Sequence, residues 1–273
     1  MRPETHKEKL RSRKRDKAFK RKLAHFIVLF IVLAGAVYLL FFNKSFDVRF
    51  IEIDAPASIP EATIKTLADT WLDESSLGIK HRNNSIVFRP SGMEGVLENS
   101  FPIIKSVSVN RVSAHTISIT IVERDPVGIW CIVNTEKCFY FDINGFAFAE
   151  ISKSSGYLFA NINDYRDRDI QLGEYVEDKI WIDNIMYVKR TLQFGGVGMK
   201  YFEISEEGVN EFAVRTAEGW DILFANDTNV RQQGETLLSF LKEKITPEER
   251  ETLDYVDLRI QDRIYYKQIE PTP

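Results

Sequence analysis

Residues 101–130 read FPIIKSVSVNRVSAHTISITIVERDPVGIW and carry the clearest indications of the fold. Phe101-Pro102 predicts the end of a helix, because the residue before a proline is disfavoured in the helical region. Two strands are predicted next, since apolar and short polar residues alternate over 106–110 and again over 117–121. From Glu123 onward the pattern changes to a series of short strands, which predicts a domain boundary there.

The chain before this stretch predicts one more strand and two helices. Residues 48–55 have the composition of a strand. Ser58-Ile59-Pro60-Glu61 and Ser91-Gly92-Met93-Glu94 both have the spacing of a capping box, and apolar residues at helical spacing follow each of them. The order strand, helix, helix, strand, strand predicts a compact α+β unit over residues 46–122, with both helices on one face of the sheet.

Further toward the N-terminus lies an apolar run that is long enough to cross a membrane. Phe26–Phe42 reads FIVLFIVLAGAVYLLFF and contains no charged residue. With the residues just before it, such a helix covers about 26–30 Å, close to the hydrocarbon thickness of a bilayer. We therefore predict a transmembrane helix over residues 23–42.

The charges on either side of this run predict its orientation. The first 25 residues hold 11 basic and three acidic side chains, a net charge of +8, so the remainder of the chain carries −12. Basic residues accumulate on the cytoplasmic side of membrane spans, which predicts that the tail, residues 1–22, is cytoplasmic and that the chain from about Asn43 onward is outside.

Two other interpretations of this N-terminal region are open. Ala34-Gly35-Ala36 resembles a signal-peptidase site, but cleavage there would leave the apolar segment 37–42 at the new N-terminus, so a retained anchor is favoured. The basic tail could bind nucleic acid, yet a Lys/Arg cluster beside a span is more often a topology signal that contacts anionic lipid. We expect no nucleic-acid partner.

Residues 123–267 predict a second, mainly β domain that contains two helices. Short apolar runs between turn residues predict strands at 129–132, 138–141, 146–149, 212–216 and 221–224. One helix is predicted from about Trp181 to Leu192 and ends at Gly195-Gly196, and another is predicted over about 229–244. Residues 268–273 remain as a C-terminal tail, so the fold class of the whole chain is α+β.

Several motifs resemble one known family. The passage from helix to strand FPIIKSVSV (101–109), the junction ITIVERDPVGIW (119–130), the hairpin FYFDINGFAF (139–148) and the C-terminal LDYVDLR (253–259) occur in the order seen in the FtsQ/DivIB family of bacterial cell-division proteins. The β-α-α-β-β unit resembles the POTRA domain of that family. One departure is the stretch 154–175, which lacks the Leu-Pro pairing and compact turn often found there.

The resemblance implies a function without catalysis. It implies a divisome scaffold in the plasma membrane at the septum, which links FtsB/FtsL-like single-pass proteins through its extracytoplasmic domains, with other division proteins on the POTRA domain. The partner-binding residues that it implies follow the YVDLR motif at the C-terminal strand edge: Arg259, Ile260, Arg263, Tyr265 and Tyr266. From alternation along a strand, we expect one of the two tyrosines to matter for binding and the other to pack into the sheet.

Residues typical of catalysis are missing from the sequence. The four histidines are not spaced as metal ligands, and Gly195-Gly196-Val197-Gly198 ends a helix where a phosphate loop would begin one. Asp142-Ile143-Asn144-Gly145 predicts a turn rather than a calcium loop. We expect that the protein is not an enzyme and that it binds no cofactor or metal. Two alternatives stay open: a membrane-anchored cell-wall hydrolase that uses paired carboxylates, and a POTRA-type chaperone or translocation component.

Cys131 and Cys138 are the two cysteines of the chain and flank a predicted hairpin outside the membrane. Thiols oxidise in such compartments, so we predict a disulfide between them. Two free buried thiols are the alternative.

Overall fold

The computed structural model describes residues 6–42, 46–74, 83–85, 88–152 and 159–269. The chain divides into two compact units. The first comprises Met1–Asn99 and Ser106–Val122, and the second comprises Ser100–Lys105 and Glu123–Pro273.

The N-terminal helix α1 extends over His6–Phe42. Its segment Phe19–Leu39 is long and apolar enough to cross a membrane, and none of that segment is buried by the rest of the chain. Large apolar side chains from Phe26 to Leu39 are therefore exposed, which a lipid environment tolerates and water does not.

The first unit contains a three-stranded sheet in the order β1-β3-β2. Its strands are β1 (Phe50–Asp54), β2 (Ile104–Arg111) and β3 (Thr116–Glu123), and β1 pairs with β3 in parallel. Helices α2 (Glu61–Asp73) and α3 (Pro90–Ser100) bury apolar residues that include Ile64, Met93 and Leu97. The predicted order of elements is therefore found in this unit.

The two predicted capping boxes are absent. Helix α2 begins after Pro60, and no side chain caps its first N–H groups. Helix α3 already begins at Pro90, so Ser91 lies inside the helix and cannot form a capping box with Glu94. Proline is well suited to the first position of a helix because it has no N–H to satisfy there.

The second unit is built on a nine-stranded sheet in the order β12-β11-β10-β9-β8-β7-β4-β5-β6. Its strands are β4 (Gly128–Ile132), β5 (Lys137–Phe141), β6 (Ala147–Ile151), β7 (Ala160–Asp164), β8 (Met199–Ile204), β9 (Glu211–Thr216), β10 (Asp221–Ala225), β11 (Leu253–Asp257) and β12 (Tyr265–Gln268). The sheet is mixed. The pairs β4–β7, β7–β8 and β10–β11 are parallel, and the other neighbouring pairs are antiparallel.

Helices α4 (Lys179–Phe194) and α5 (Val230–Glu243) contact each other and cover one face of this sheet. The side chains of Asp178 and Asn229 cap them by accepting from Trp181 N–H and Gln232 N–H. A short helix α6 (Pro247–Arg250) precedes β11. The core between helices and sheet includes large side chains that are fully buried: Trp130, Phe141, Phe202, Trp220 and Phe224.

The other face of the sheet carries a small apolar cluster and a disulfide. Cys131 and Cys138 lie directly opposite each other on β4 and β5, and their Sγ atoms are bonded at 2.04 Å. Ile129 is buried beside them, and Tyr140, Ile151 and Phe159 pack around the group. The bond therefore joins two strands that the backbone ladder already pairs.

Candidate partner-binding edge of the sheet

Strand β12 is the last strand of the nine-stranded sheet, and its described neighbour is β11 alone. All four of its residues are exposed. Val256 pairs with Tyr266 and Asp257 with Tyr265, so the strand follows β11 in antiparallel register. This geometry leaves one side of the β12 backbone without a strand among the residues that the structure describes.

The backbone groups on that open side belong to Tyr266 and Gln268. Ile269 N–H donates to the Thr252 carbonyl oxygen (2.7 Å), toward β11. Successive residues of a strand present their N–H and C=O to opposite sides, so Tyr265 and Lys267 also face β11. Tyr266 and Gln268 then point their N–H and C=O outward, which is the arrangement that an incoming strand can extend.

The two tyrosines of β12 lie on opposite faces of the sheet. Tyr266 is on the helix side and packs against Phe240 of α5, with ring centroids 5.0 Å apart. Tyr265 is on the other face, and its hydroxyl accepts from Arg263 Nη1 (3.3 Å). Their exposed fractions are similar, 47% for Tyr265 and 49% for Tyr266, so each ring keeps surface for a partner.

Arg259 is held in place by carboxylates of its own chain. Its guanidinium donates through Nη2 to Asp257 Oδ2 (2.7 Å) and through Nη1 to Glu211 Oε2 (2.6 Å). These hydrogen bonds raise the pKa of Arg259 further above its usual value. Burial alone would raise the pKa of Asp257, but the hydrogen bonds and charge of Arg259 together lower it. The arginine therefore positions the turn after β11, and its charge is already matched.

Ile260 and Arg263 border a cavity beside the start of β12. The cavity has a volume of about 250 Å³ and lies between the turn that follows β11 and the first turn of α5. Gln232 on α5 donates to Asp262 Oδ1 across it (3.1 Å). Ile260 is exposed, so an apolar side chain and the basic side chain of Arg263 both lie next to the start of β12.

Three residues of this region were not predicted from the sequence. Phe240 supports Tyr266 from α5, Glu211 binds Arg259 from β9, and Gln268 supplies outward backbone groups at a position predicted as tail. No local pattern could reveal the first two, because each meets its partner only through the sheet and helix packing. Gln268 is one residue beyond Lys267, where the second domain was predicted to end.

The motif at the predicted domain boundary has a structural role within the second unit. Arg124 Nη1 binds Asp142 Oδ2 (2.6 Å), and its guanidinium lies 4.1 Å from the centre of the Phe146 ring. Asp142 Oδ1 also accepts from the N–H groups of Asn144 and Phe146, which makes it the side chain that closes the turn. The predicted turn at 142–145 is thus present, and the carboxylate of Asp142 accepts hydrogen bonds from other groups of the chain.

Gly128 in the same motif has no room for a side chain. A Cβ atom there would come within 2.4 Å of the Phe141 ring and 2.6 Å of the Ala160 carbonyl oxygen. The chain therefore needs glycine where it enters β4 between two neighbouring strands.

Two carboxylates of the second unit, Asp164 and Glu177, are bound by arginines of the same unit. Asp164 is fully buried and is bound by Trp130 Nε1, Arg166 and Arg168, and Glu177 is bound by the same two arginines. In the part of the chain that the structure describes, no group of three His, Cys, Asp or Glu residues could hold a metal ion. His115 Nδ1 lies 3.0 Å from the Asp47 carbonyl oxygen, and His81 lies outside the described residues.

Comparison with known proteins identifies the first unit. The family model of the POTRA domain, FtsQ-type, matches residues 46–124. No curated protein matches the chain. Domains of this type belong to a family of non-enzymatic cell-division proteins. With its FtsQ-type POTRA domain behind an N-terminal apolar helix, the chain fits the FtsQ/DivIB family of cell-division proteins.

Proposed function

We propose that this protein is a divisome scaffold of the bacterial plasma membrane. Its basic tail lies in the cytoplasm, α1 spans the bilayer once, and both extracytoplasmic units act at the septum. There the second unit recruits FtsB/FtsL-like single-pass proteins, and the POTRA domain contacts other division proteins. The charge asymmetry around α1 and the FtsQ-type domain support this assignment.

The observation that carries the proposal is the open edge of β12. A segment of the partner in extended conformation adds to the sheet by pairing with the outward backbone groups of Tyr266 and Gln268. Backbone pairing gives affinity, and side chains along the edge give specificity. The same edge would otherwise be a liability for aggregation, which its shortness and Lys267 reduce.

The side chains around the edge have separate roles in this proposal. Tyr265 offers an aromatic ring on the face that carries no helix, and Arg263 and Ile260 receive the partner at the neighbouring cavity. Tyr266 acts mainly through its contact with Phe240. Arg259 holds the turn through Asp257 and Glu211, so its effect on binding is indirect.

Substitution of Gln268 tests strand addition at the level of one N–H group. Gln268→Pro removes an outward donor and blocks the approach of a strand, while the bonds of β12 to β11 stay intact. Gln268→Ala changes the side chain alone and is the matched control. The full-length variants are co-expressed with the FtsB/FtsL-like proteins of the same organism, solubilised in detergent and captured by a tag. We expect Gln268→Pro to retain about tenfold less partner than Gln268→Ala.

A deletion from Arg263 onward removes β12 and should abolish capture. Circular dichroism establishes that each variant keeps its secondary structure. Equal capture by wild type, Gln268→Pro and the deletion would show that partners bind elsewhere on the molecule.

A further inference from the structure

The sheet of the POTRA unit also ends in an edge strand, β2, but this edge is occupied. Two of its backbone donors, the N–H groups of Val107 and Val109, point away from β3. Val107 N–H donates to Glu98 Oε1 (3.1 Å), and Val109 N–H donates to Glu94 Oε1 (2.9 Å). Both carboxylates come from α3 of the same unit.

The spacing of the two glutamates matches the spacing of the two donors. Residues four apart on a helix are about 6 Å apart along its axis, and residues two apart on a strand are about 6.6 Å apart. Glu94 and Glu98 therefore stay level with Val109 and Val107 when α3 lies antiparallel to β2. Each carboxylate takes the place that a carbonyl oxygen of a neighbouring strand would have.

Core packing holds the helix in this position. Met93 and Leu97 immediately precede the two glutamates and are fully buried, with exposed fractions of 0%. Val107 and Val109 are buried on the strand side. Glu94 is half-buried and Glu98 is exposed, but both are carried on a helix whose neighbouring residues are fixed in the core.

We propose that Glu94 and Glu98 close the β2 edge of the POTRA sheet to strand addition. A strand of a second copy of this chain cannot pair with β2 while both N–H groups are bound to carboxylates. Hydrogen bonds to a charged acceptor are stronger than those to a neutral carbonyl, so an approaching strand gains nothing by displacing them. The two carboxylates thus prevent two copies of the chain from associating through β2, whether or not β12 binds a partner.

Amide hydrogen exchange in the full-length protein reports directly on the two donors. In Glu94→Ala/Glu98→Ala, we expect the amides of Val107 and Val109 to exchange about tenfold faster than in wild type. Glu98→Ala alone should accelerate Val107 and leave Val109 protected, which separates loss of one bond from general loosening of the domain. Glu94→Gln/Glu98→Gln keeps an acceptor oxygen at both sites and should stay close to wild type.

Sedimentation velocity in detergent measures whether the uncovered edge accepts a strand. Glu94→Ala/Glu98→Ala should self-associate more strongly than wild type at the same concentration. Glu61→Ala/Asp69→Ala is the matched control, because it removes two exposed carboxylates from α2 of the same unit and changes the net charge equally. Unchanged amide exchange, no gain in self-association, or an equal gain in the control would overturn the proposal.

Discussion

Arg259 is implied as a partner-binding residue and is also held by carboxylates of its own chain. The family resemblance implies that Arg259 binds a partner, and the structure places Asp257 and Glu211 of its own chain on the guanidinium. About a third of the arginine side chain remains exposed, so solvent weakens these pairs relative to buried ones. Its contribution to stability should be measurable and modest.

Replacing Arg259 by Met should therefore destabilise the second unit by about 1–2 kcal/mol at about pH 7. The pKa of Asp257 is lowered in the folded protein, so its pairing contributes fully above the unfolded-state value of about 3.9 and is lost as pH falls through the lower folded value. The difference between wild type and Arg259→Met should shrink below about pH 4. Guanidinium unfolding of both proteins at several pH values measures it.

A difference that stays constant down to about pH 2 would contradict the role of the Asp257 carboxylate. Arg263→Met is the control, since Arg263 is exposed and its described side-chain contact is a neutral hydroxyl. It should change stability little at either pH.

At the scale of elements, the β4–β5 hairpin shows how a covalent bond can add to an existing ladder. Cys131 and Cys138 are register partners, with Cα atoms 4.0 Å apart. The loop between them is short and includes Glu136 in the left-handed region. Because the strands are already paired in the native state, the cross-link acts chiefly on the unfolded chain.

We predict that the native protein carries this bond and that Cys131→Ser/Cys138→Ser is less stable by about 2–3 kcal/mol, as expected for closing so short a loop. Thiol titration of the unreduced, unfolded wild type should find no reactive thiol. Reduction of the wild type should lower its stability to nearly that of the double variant. Two reactive thiols before reduction would mean that the bond does not form in the cell.

The strands that the sequence did not predict lie in the middle of the sheet. β7 has the sequence ANIND, and Asn and Asp are uncommon in strands. Its neighbours β4 and β8 fix it in place: Ile162 pairs with Trp130 on one side and with Phe202 on the other. Buried Asp164 is bound by Arg166 and Arg168, which follow it closely in the sequence, and by Trp130, which the packing of β4 against β7 brings to it. Composition is outweighed here by tertiary contacts.

At the scale of the full chain, the distribution of charge predicts the orientation of the protein in the membrane. The tail before α1 is strongly basic, whereas the chain after it is acidic, which predicts Ser12 in the cytoplasm and Ser239 outside. Single cysteines placed at these positions should differ in intact cells: an impermeant maleimide labels Ser239→Cys, and labels Ser12→Cys only after lysis. Ser239 is exposed, so access to the reagent is not limited by burial. The reverse pattern would invert the topology.

Features that depend on residues close together in the chain could be predicted from the sequence alone. The apolar run of α1, the alternation in β2 and β3 and the helical spacing in α4 and α5 are local periodicities, and the structure confirms these elements. The order of elements in the POTRA unit followed from them. The capping box predicted at Ser91-Gly92-Met93-Glu94 was wrong, because a Ser and a Glu three residues apart can also both lie inside a helix.

Contacts between residues far apart in the chain could not be predicted without the three-dimensional structure. The position of β12 at the sheet edge, the pairing of Arg259 with Glu211 and the bonds from Glu94 and Glu98 to β2 all depend on the register of strands and the placement of helices. Such contacts form because each unit buries its own core, which fixes the positions of its elements together. The residues next to a side chain in the sequence do not indicate which distant residues it contacts.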